Sequence, residues 1–247
     1  MKTTDNTILI TGGSAGIGFQ VAKLFSENGN RVIITGRNPE RLQRAAAQLK
    51  NTTAIVSDTT NAADVDALVS RLKQDFPQLN VVVNNAGAVH VYNLADSNID
   101  AFTKAGNEML TNYLAIIRLN ELLLPALRNQ PESAIVNVSS IVAFASNTKM
   151  STYGASKAAL HAYTQALRLS LEDTPVKVFE LMPPLVDTEF STEIGGANGI
   201  PPSQVANDLF AALQHDELEI HVGRTKEFYN AFFAPSANAI LAMNGRG

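Results

Sequence analysis

Hydrophobic residues in this chain fall into two alternating kinds of run. Short, continuous apolar runs recur along the sequence, and between them lie longer stretches in which apolar residues return every three or four positions. Continuous runs are typical of strands buried on both faces, whereas the wider spacing is typical of helices with one apolar side. This alternation predicts an α/β protein built on a parallel sheet. The runs that predict strands are 7–11, 30–37, 54–58, 79–87, 134–140 and 176–182.

The predicted helices begin and end at recognisable signals. Asn38 precedes Pro39, a pair that is typical of a helix cap followed by the first helical position. The longest helical stretch, 99–128, is expected to end near Pro125. The segment 188–203 is rich in Gly, Ser and Thr, which favours a mobile loop that closes over a substrate. One further helix is predicted to start after the glycines at 16–18. Two others are predicted at 64–76 and 153–173.

Length and composition restrict the function. The 247 residues contain no linker or repeat, so we expect a single domain over residues 1–247. A formal charge of −4, without a basic run, argues against a nucleic-acid surface and an anionic membrane patch. Cysteine is absent, the four histidines lack metal-ligand spacing, and the first residues lack the apolar core of a signal peptide. The apolar-leaning segment 231–243 is too short to span a bilayer. We therefore expect a cytoplasmic protein that acts on a small molecule, without a metal site.

A glycine-rich turn follows the first predicted strand. Gly12, Gly16 and Gly18 stand between that strand and a helix on which Ile17 is the first apolar position. Glycines let a backbone approach a pyrophosphate closely, and the amino end of a helix offers it free N–H groups. The spacing Gly-x-x-x-Gly-x-Gly differs from the dinucleotide fingerprint, so a turn without a ligand is the alternative. The turn also fits the nucleophile elbow of hydrolases, but only thirteen residues precede Ser14, too few for the earlier strand that carries an oxyanion loop.

The end of the second strand carries an arginine at the point that decides cofactor preference. An NAD site places a carboxylate about 20 residues after the glycines, on the ribose hydroxyls, whereas an arginine there accommodates the 2′-phosphate of NADP. Here the tip carries Gly36 and Arg37, and the nearby Glu40 fits a first-turn residue favoured by the helix dipole. The sequence therefore favours NADP(H) over NAD(H), the alternative being that Arg37 is a solvated loop residue.

A tyrosine and a lysine form the candidate acid–base pair. Tyr153 and Lys157 stand four residues apart, so they share one face of a predicted helix. A nearby cation lowers the pKa of a phenol, which would make Tyr153 a usable proton donor. Ser140 ends a buried strand thirteen residues earlier, at the kind of strand end where ligands bind in open α/β sheets. The spacing alone also fits a solvated helix face, but the serine favours acid–base chemistry.

Three polar positions have a structural alternative. Asp58 ends the third strand, where it fits either a ligand contact or an Asx turn before a helix. The segment 84–87 is expected to face the glycine turn, with asparagines that either tie the two loops together or touch a cofactor. Asn112 interrupts an apolar helix face and is either a satisfied core amide or the holder of a water near an active site.

In order and spacing, these motifs resemble the short-chain dehydrogenase/reductase family over nearly the whole chain. The matches to its glycine and fourth-strand motifs are Thr11, Gly12, Gly16, Gly18 and residues 84–87. The family's catalytic set falls on Asn112, Ser140, Tyr153 and Lys157. The resemblance implies a doubly wound, Rossmann-type parallel sheet of seven strands in the order 3-2-1-4-5-6-7, a nicotinamide cofactor, and a homodimer or homotetramer.

By the same resemblance, Tyr153 protonates the carbonyl oxygen of a substrate as hydride arrives from the nicotinamide, and it acts as the base in reverse. Ser140 polarises that oxygen. Lys157 bonds the nicotinamide ribose and stabilises the tyrosinate, while Asn112 holds a water. The residues expected to bind the cofactor are Gly12, Ser14, Gly16, Ile17, Gly18, Arg37, Asp58, Asn85, Ala86, Gly87, Tyr153, Lys157, Pro183, Val186 and Thr188.

Two features depart from the family pattern. The usual Pro-Gly turn after the sixth strand is Pro183-Pro184 here, which removes a backbone N–H and restricts φ. After the last strand, at 218–223, residues 224–247 form an atypical tail, and in this the chain looks like the DltE-like branch of the family. The tail either covers the substrate cleft, enters a dimer interface, or packs on the core.

We therefore expect an NADP(H)-dependent oxidoreductase that interconverts a carbonyl and a secondary alcohol. The candidate wall residues of the substrate site are apolar and predict an apolar substrate; they are Val142, Met150, Leu185 and Phe190. The alternative from another class is a catalytically silent NAD(P)-binding redox sensor or regulatory module, although such proteins typically lack the tyrosine or the lysine.

Overall fold

The structure, a computed structural model, describes residues 1–232 around one parallel sheet. Its strands are β1 Thr7–Thr11, β2 Arg31–Gly36, β3 Thr52–Val56, β4 Leu79–Asn84, β5 Ser133–Val138, β6 Val176–Met182 and β7 Glu219–His221. They lie side by side in the order β3-β2-β1-β4-β5-β6-β7, and every neighbouring pair is parallel. The predicted doubly wound α/β fold is confirmed.

Helices cover both faces of this sheet. Successive side chains of a strand point to opposite faces, and in β1 both are apolar: Ile8 and Ile10 pack under one helical layer and Leu9 under the other. One layer contains α1, α2 and α7, and the other contains α3 and α5. The helices are α1 Gly16–Glu27, α2 Pro39–Ala46, α3 Ala62–Asp75, α4 Ala101–Met109, α5 Ala115–Arg128, α6 Ser151–Ser170, α7 Pro202–His215 and α8 Thr225–Phe232. None of the helices within residues 1–232 combines the length and the apolar character that crossing a bilayer requires.

The start of α2 follows its sequence signal. The side chain of Asn38 accepts a hydrogen bond from the backbone N–H of Arg41 at 2.9 Å, and Pro39 takes the first helical position. Glu40 lies in the first turn, where a carboxylate offsets the positive end of the helix dipole. The predicted cap is confirmed.

The long predicted helix 99–128 is interrupted. A π turn, Leu110–Leu114, separates α4 from α5, and the backbone N–H of Ala115 donates to the carbonyl of Leu110. One inserted residue hardly changes an apolar spacing averaged over many turns, so the pattern does not reveal it. Pro125 lies inside α5 rather than at its end. The carbonyl it leaves without an N–H donor belongs to the exposed Glu121, where water can bind it.

The segment 188–203, expected as a mobile loop, has local order. It contains the 3₁₀ turns Glu189–Ile194 and Gly196–Asn198, and Ile200 pairs with Val186 in an isolated bridge. The Ser191 hydroxyl is bonded to the carbonyl oxygens of Val186, at 2.5 Å, and Thr188, at 2.9 Å. Short polar side chains bonded to nearby backbone stabilise such turns without a regular helix.

The sheet divides at the contact between β1 and β4. The strands β1 to β3 lie on one side of this contact and β4 to β7 on the other. Because the strand order reverses here, the carboxyl ends of β1 and β4 flank a crevice, which is where open α/β sheets bind ligands.

A buried amide network ties the strands to the helices behind that crevice. The Asn84 side chain donates to the side-chain oxygens of Asn120, at 2.9 Å, and Asn137, at 2.8 Å. Asn137 in turn donates to the Thr164 hydroxyl at 2.9 Å. These bonds connect β4 and β5 to α5 and α6, and all four side chains are at most 2% exposed. Since a buried polar group without a partner is costly, the network holds these elements in one arrangement.

The substitution Asn137→Ala tests this network. It removes an acceptor from Asn84 and a donor from Thr164, so we expect the free energy of unfolding to fall by about 1 to 3 kcal/mol. Urea denaturation followed by circular dichroism measures the loss. Asn129→Ala is the control, because Asn129 is an exposed residue at the end of α5. Equal losses in the two variants would contradict a structural role for the network.

Candidate active site

A cavity of about 970 Å³ lies at the carboxyl ends of the strands and runs from the end of β2 to the start of α6. Most of the predicted site residues line it together. Those that do are Gly12, Ser14, Gly16, Ile17, Arg37, Asp58, Asn85, Ala86, Gly87, Ser140, Tyr153, Lys157, Pro183, Val186 and Thr188. Gly18 and Asn112 do not line it.

The glycine turn forms the floor of the cavity. Gly12 has a φ of +66°, a conformation that side-chain-bearing residues rarely adopt. Gly18 does not form part of the cavity surface. It allows close packing of the backbone, because a Cβ there would lie 2.5 Å from the carbonyl oxygen of Gly12. Neither a side-chain cap nor an acidic first-turn residue occupies the amino end of α1. Its N–H groups therefore form a ready site for an anion.

The ends of β1 and β4 are tied together beside this turn. The Thr11 hydroxyl accepts the backbone N–H groups of Asn85 and Ala86, both at 3.0 Å. The Asn85 side chain donates to the carbonyl oxygens of Thr11, at 2.9 Å, and Gly12, at 3.2 Å. Of the two alternatives for this segment, the asparagine tie between the loops is therefore present in the structure.

Two arginines lie at the end of the cavity beside β2. Arg37 is exposed, and no hydrogen bond or ion pair within residues 1–232 engages its guanidinium. Arg41, one turn into α2, was not predicted from the sequence, although its place four residues after Arg37 was the available signal. Arg41 forms a two-pronged ion pair with Glu189, at 2.5 and 3.2 Å, across the mouth of the cavity.

Asp58 forms the Asx turn that was one of its two alternatives. Its carboxylate accepts from the backbone N–H of Thr60, at 2.9 Å, and from the Thr60 hydroxyl, at 2.7 Å. The residue also lines the cavity, so a ligand contact stays a prediction.

Ser140, Tyr153 and Lys157 meet at the other end of the cavity. Ser140 follows β5 and is hydrogen-bonded with the Tyr153 hydroxyl. The Lys157 ammonium lies 5.7 Å from the centre of the Tyr153 ring and donates to the carbonyl oxygen of Val138 at 2.8 Å. One turn of α6 thus places a phenol and an ammonium beside the end of one strand.

The expected lowering of the tyrosine pKa is wrong for this structure. Burial raises the pKa of Tyr153, the hydrogen bond with Ser140 opposes this, and the charge of Glu108 adds to it. Burial also lowers the pKa of Lys157 to about 8, against an opposing effect of Glu180. At neutral pH the tyrosine is therefore protonated. The lysine is charged, and burial disfavours this charge while Glu180 favours it.

Asn112 lies behind the cavity wall, in the π turn. Its side-chain oxygen accepts the backbone N–H of Ala88 at 2.8 Å, and its amide donates to the Ala88 carbonyl, at 2.8 Å, and to the Ser156 hydroxyl, at 2.9 Å. Both amide protons are used, which is the satisfied core amide that was one alternative. The water-holding role stays a prediction, and it has to use another group of this residue.

A buried glutamate in α4 was missed by the sequence analysis. Glu108 has no exposed surface, and its carboxylate accepts from the backbone N–H of His90, at 2.7 Å, and from the Thr152 hydroxyl, at 2.6 Å. Thr152 also bonds the hydroxyl of Tyr92. The glutamate therefore joins the cavity wall near residue 90 to the start of α6, next to Tyr153. An acid amid apolar helix positions was the available signal.

The chain is similar to known proteins in sequence and in fold. A family model described as short chain dehydrogenase matches residues 6–198. The chain belongs to the short-chain dehydrogenase/reductase family. Membership of this family makes the protein an oxidoreductase.

Within the short-chain dehydrogenase/reductase family, the protein lies in the DltE-like branch. It is 39% identical over 219 residues to an uncharacterized oxidoreductase, DltE, of Bacillus subtilis (strain 168), which covers 89% of this chain and 86% of that protein. It is 32% identical over 221 residues to an uncharacterized oxidoreductase of Staphylococcus saprophyticus, covering 87% of this chain and 93% of the relative.

Two solved structures of short-chain dehydrogenases share the fold. One, from Burkholderia cenocepacia J2315 in complex with NADP, has a TM-score of 0.86 at 26% identity, over 98% of each chain. Another, from Burkholderia phymatum in complex with NAD, has a TM-score of 0.83 at 20% identity, over 89% of each chain. At the second identity the likeness concerns the fold alone.

The hydrolase alternative finds no support in this short-chain dehydrogenase. No hydrogen bond in the described part of the chain joins Ser14 to a histidine. A nucleophilic serine needs such a base within hydrogen-bond reach.

The two departures from the family pattern lie next to each other. Pro184 lines the cavity, and a Cβ on Gly223 would lie 3.8 Å from its ring. Beyond Gly223, α8 packs on the core through Tyr229, whose ring lies 5.0 Å from that of Phe144. Packing on the core is therefore confirmed for this part of the tail, and the expectations for residues 233–247 lie outside the described residues.

The substitution Lys157→Met tests the burial of the ammonium. Between pH 8 and the ordinary lysine value of 10.5, the folded state has released a proton that the unfolded state retains, so wild-type stability rises with pH in this window. The methionine variant lacks this titration, so the stability of the wild type should rise relative to the variant by about 1 to 3 kcal/mol between pH 7 and pH 10.5. Urea denaturation at several pH values measures it.

Lys149→Met is the matched control, because Lys149 is exposed just before α6. Its effect should stay within about 0.5 kcal/mol at every pH. A Lys157→Met difference that is independent of pH would contradict the assigned pKa.

Proposed function

We propose that the protein is an NADP(H)-dependent oxidoreductase that interconverts a carbonyl and a secondary alcohol, with Tyr153 as general acid and base. The observation that carries this proposal is the meeting of Ser140, Tyr153 and Lys157 in the same cavity as an uncapped helix end and a glycine turn. The first group suits proton transfer, and the second suits a pyrophosphate.

The cavity has features that fit a dinucleotide. The backbone at Gly12 and the free amino end of α1 offer N–H donors and close approach, which phosphates require. Thr188 lies against the same turn, since a Cβ on Gly16 would be 3.2 Å from its methyl group. The structural relative in complex with NADP, at 26% identity, supports a nicotinamide cofactor.

NADP(H) is favoured by the charges beside β2. Arg37 is available to a 2′-phosphate, and Arg41 lies in the same wall of the cavity. The tip of β2 carries no carboxylate to receive ribose hydroxyls, since Glu40 belongs to the first turn of α2. A guanidinium binds a phosphate through two parallel hydrogen bonds, which makes Arg37 suited to the phosphorylated cofactor, while Arg41 is engaged by Glu189.

When bound, the nicotinamide supplies or accepts the hydride. The residues of this chain hold and move the proton. In the direction of reduction, Tyr153 gives its phenolic proton to the carbonyl oxygen of the substrate while the carbonyl carbon gains the hydride, and an alcohol results. Ser140 donates a hydrogen bond to that oxygen and favours its developing negative charge. The raised pKa of Tyr153 keeps the phenol protonated at neutral pH, so the proton needed for reduction is present.

Lys157 stabilises the phenolate that remains after the transfer. The residue is only 4% exposed, so the attraction of its ammonium to the phenolate is weakly screened. In the proposal Lys157 also bonds the ribose next to the nicotinamide. The remaining residues that are predicted to contact the cofactor are Asn85, Ala86, Gly87, Pro183, Val186 and Thr188.

The walls next to Tyr153 favour a substrate with an apolar part. The side chains of Val142, Met150, Leu185 and Phe190 line the cavity, and the Phe190 ring lies 6.2 Å from the Tyr153 ring. Charged residues that the sequence analysis did not place there also line it: Lys149, Glu193 and Arg224. Apolar walls with a few polar groups are typical of sites for small molecules.

The oligomeric state and the cellular location of the protein remain predictions. The family resemblance implies a homodimer or homotetramer formed through the predicted helices 99–128 and 153–173, which correspond to α4, α5 and α6. Exposed apolar side chains on or beside these helices, Leu114 and Leu169, support such a contact. A cytoplasmic location is likewise proposed from the sequence alone.

Fluorescence titration with NADPH and NADH tests the cofactor. We expect tighter binding of NADPH, and we expect Arg37→Ala to weaken it by about ten- to a hundredfold while NADH binding changes little. Arg128→Ala, on the exposed end of α5, is the control and should leave both affinities unchanged. Failure of both cofactors to bind would refute the dinucleotide site, and tighter NADH binding would refute the preference.

The substitution Tyr153→Phe tests the proton donor. Reduction of ketones and aldehydes with NADPH should fall by about 10²- to 10⁴-fold, with cofactor affinity retained. Tyr163→Phe, nearly three turns later on α6, removes a different phenol and should leave turnover near wild type. If the wild type binds NADPH but reduces no member of a broad carbonyl panel, the silent sensor becomes the better assignment.

A further inference from the structure

A buried carboxylate lies beneath the catalytic end of the sheet, on β6. Glu180 has no exposed surface. The Ser139 hydroxyl donates to it at 2.5 Å, and Nδ1 of His161 lies 2.8 and 3.0 Å from its two oxygens. Taking a charge out of water costs several kcal/mol unless another charge compensates it. A glutamate in this position therefore requires a cation nearby.

His161, whose pKa the carboxylate raises, is the partner in direct contact with Glu180, and Lys157 is a second buried cation beside them. Lys157 and His161 are four residues apart on α6 and share one face of the helix. The Lys157 ammonium donates to the carbonyl oxygen of Val138, and the next residue, Ser139, holds Glu180. The ammonium and the carboxylate thus lie on adjoining parts of one interior wall, while neither Glu180 nor His161 lines the cavity.

The electrostatics agree with this geometry. Burial lowers the pKa of Lys157 to about 8, and the charge of Glu180 opposes the lowering. Burial also acts to lower the pKa of His161, but its hydrogen bond and attraction to Glu180 outweigh burial and raise it. The carboxylate therefore stabilises a positive charge on both of its basic neighbours.

The other charged groups near Lys157 and Glu180 are paired or act on other residues. Arg168 and Glu219 neutralise each other through an ion pair of 3.0 Å. Glu108, another wholly buried acid, acts on Tyr153. Farther out, Glu217 and Lys226 act on His221, and the charges of Glu219 and Glu180 act on Tyr229. Among the described residues, Glu180 is the acid whose charge reaches Lys157.

We infer that Glu180 is the internal counter-ion that keeps Lys157 protonated and that His161 positions its carboxylate. This inference rests on the proposed function, in which Lys157 stabilises the phenolate of Tyr153. Glu180 acts through the lysine and touches neither substrate nor cofactor, so it is a positioning residue. Without its charge, the buried lysine would lose its proton nearer to neutral pH, and the phenolate would lose its cation.

Aromatic rings pack beside Lys157 and Glu180. The Phe144 ring lies 5.0 Å from the His161 ring, and the Tyr229 ring lies 4.3 Å from the His221 ring. Tyr229 belongs to α8, so the described part of the atypical tail takes part in this packing. Lys157 and Glu180 are themselves buried, and the low local dielectric constant strengthens the attraction between carboxylate and ammonium.

The substitution Glu180→Gln tests the counter-ion, because glutamine keeps the volume and one acceptor oxygen but removes the charge. The probe is the ¹³Cε resonance of Lys157, assigned by its loss in Lys157→Met and followed against pH in the protein without added cofactor. We expect the lysine pKa to fall from about 8 by about 1 to 3 pH units. Glu180→Asp, which keeps the charge, should restore most of the value.

Glu219→Gln is the matched control, since Glu219 stands opposite Glu180 in the neighbouring strand and should leave the lysine titration unchanged. An unchanged titration in Glu180→Gln would overturn the inference. In turnover assays, the limb where activity falls as the lysine loses its proton should move to lower pH by the same amount. The NMR titration needs no turnover, so it separates failure of this inference from failure of the proposed function.

If Glu180→Gln does not fold alone, the double variant with Lys157→Met decides. A counter-ion becomes dispensable once its cation is gone, so the double variant should fold with nearly the thermal midpoint of Lys157→Met. A carboxylate that is needed only for its hydrogen bonds would leave the double variant unfolded as well, and this result would overturn the inference.

Discussion

The burial of the Lys157 ammonium is the constraint on which the centre of this structure depends. A lysine that is only 4% exposed needs an acceptor for its ammonium, which the carbonyl of Val138 supplies, while the charge of Glu180 favours its protonated form. Val138 ends β5, so the lysine holds α6 against the end of that strand. Tyr153, one turn earlier, is thereby held beside Ser140. Chemistry and packing thus rely on the same contact.

Sequence patterns were sufficient to predict the strands of the sheet and the helices that cover it. Continuous apolar runs predicted the buried strands, because both faces of this sheet are covered by helices and no polar face is needed. The glycine turn, Arg37 and Ser140 were also predictable, because each follows the carboxyl end of a strand. Tyr153 was predictable because it stands one helical turn before Lys157. Topology alone then brings them to one cavity.

Other features depend on contacts between distant parts of the chain, which local patterns do not contain. Glu108 and Glu180 look like ordinary acids in sequence, and only the fold shows that both are completely buried. The π turn is a one-residue insertion that apolar spacing conceals. The direction of the Tyr153 pKa was wrong for a related reason: the sequence showed the neighbouring cation, whereas burial, the larger effect, arises only when the cavity walls assemble.

The division of the sheet between β1 and β4 also bears on how the chain folds. β1 is the first strand in the chain, yet its neighbour β4 lies about 70 residues later, at Leu79–Asn84. Pairing over such separations is slow, because a long loop must close before the contact forms. Since the cavity spans this division, it does not exist in either part alone. A bound molecule therefore stabilises only the fully assembled fold, and it makes the two parts unfold as one cooperative unit.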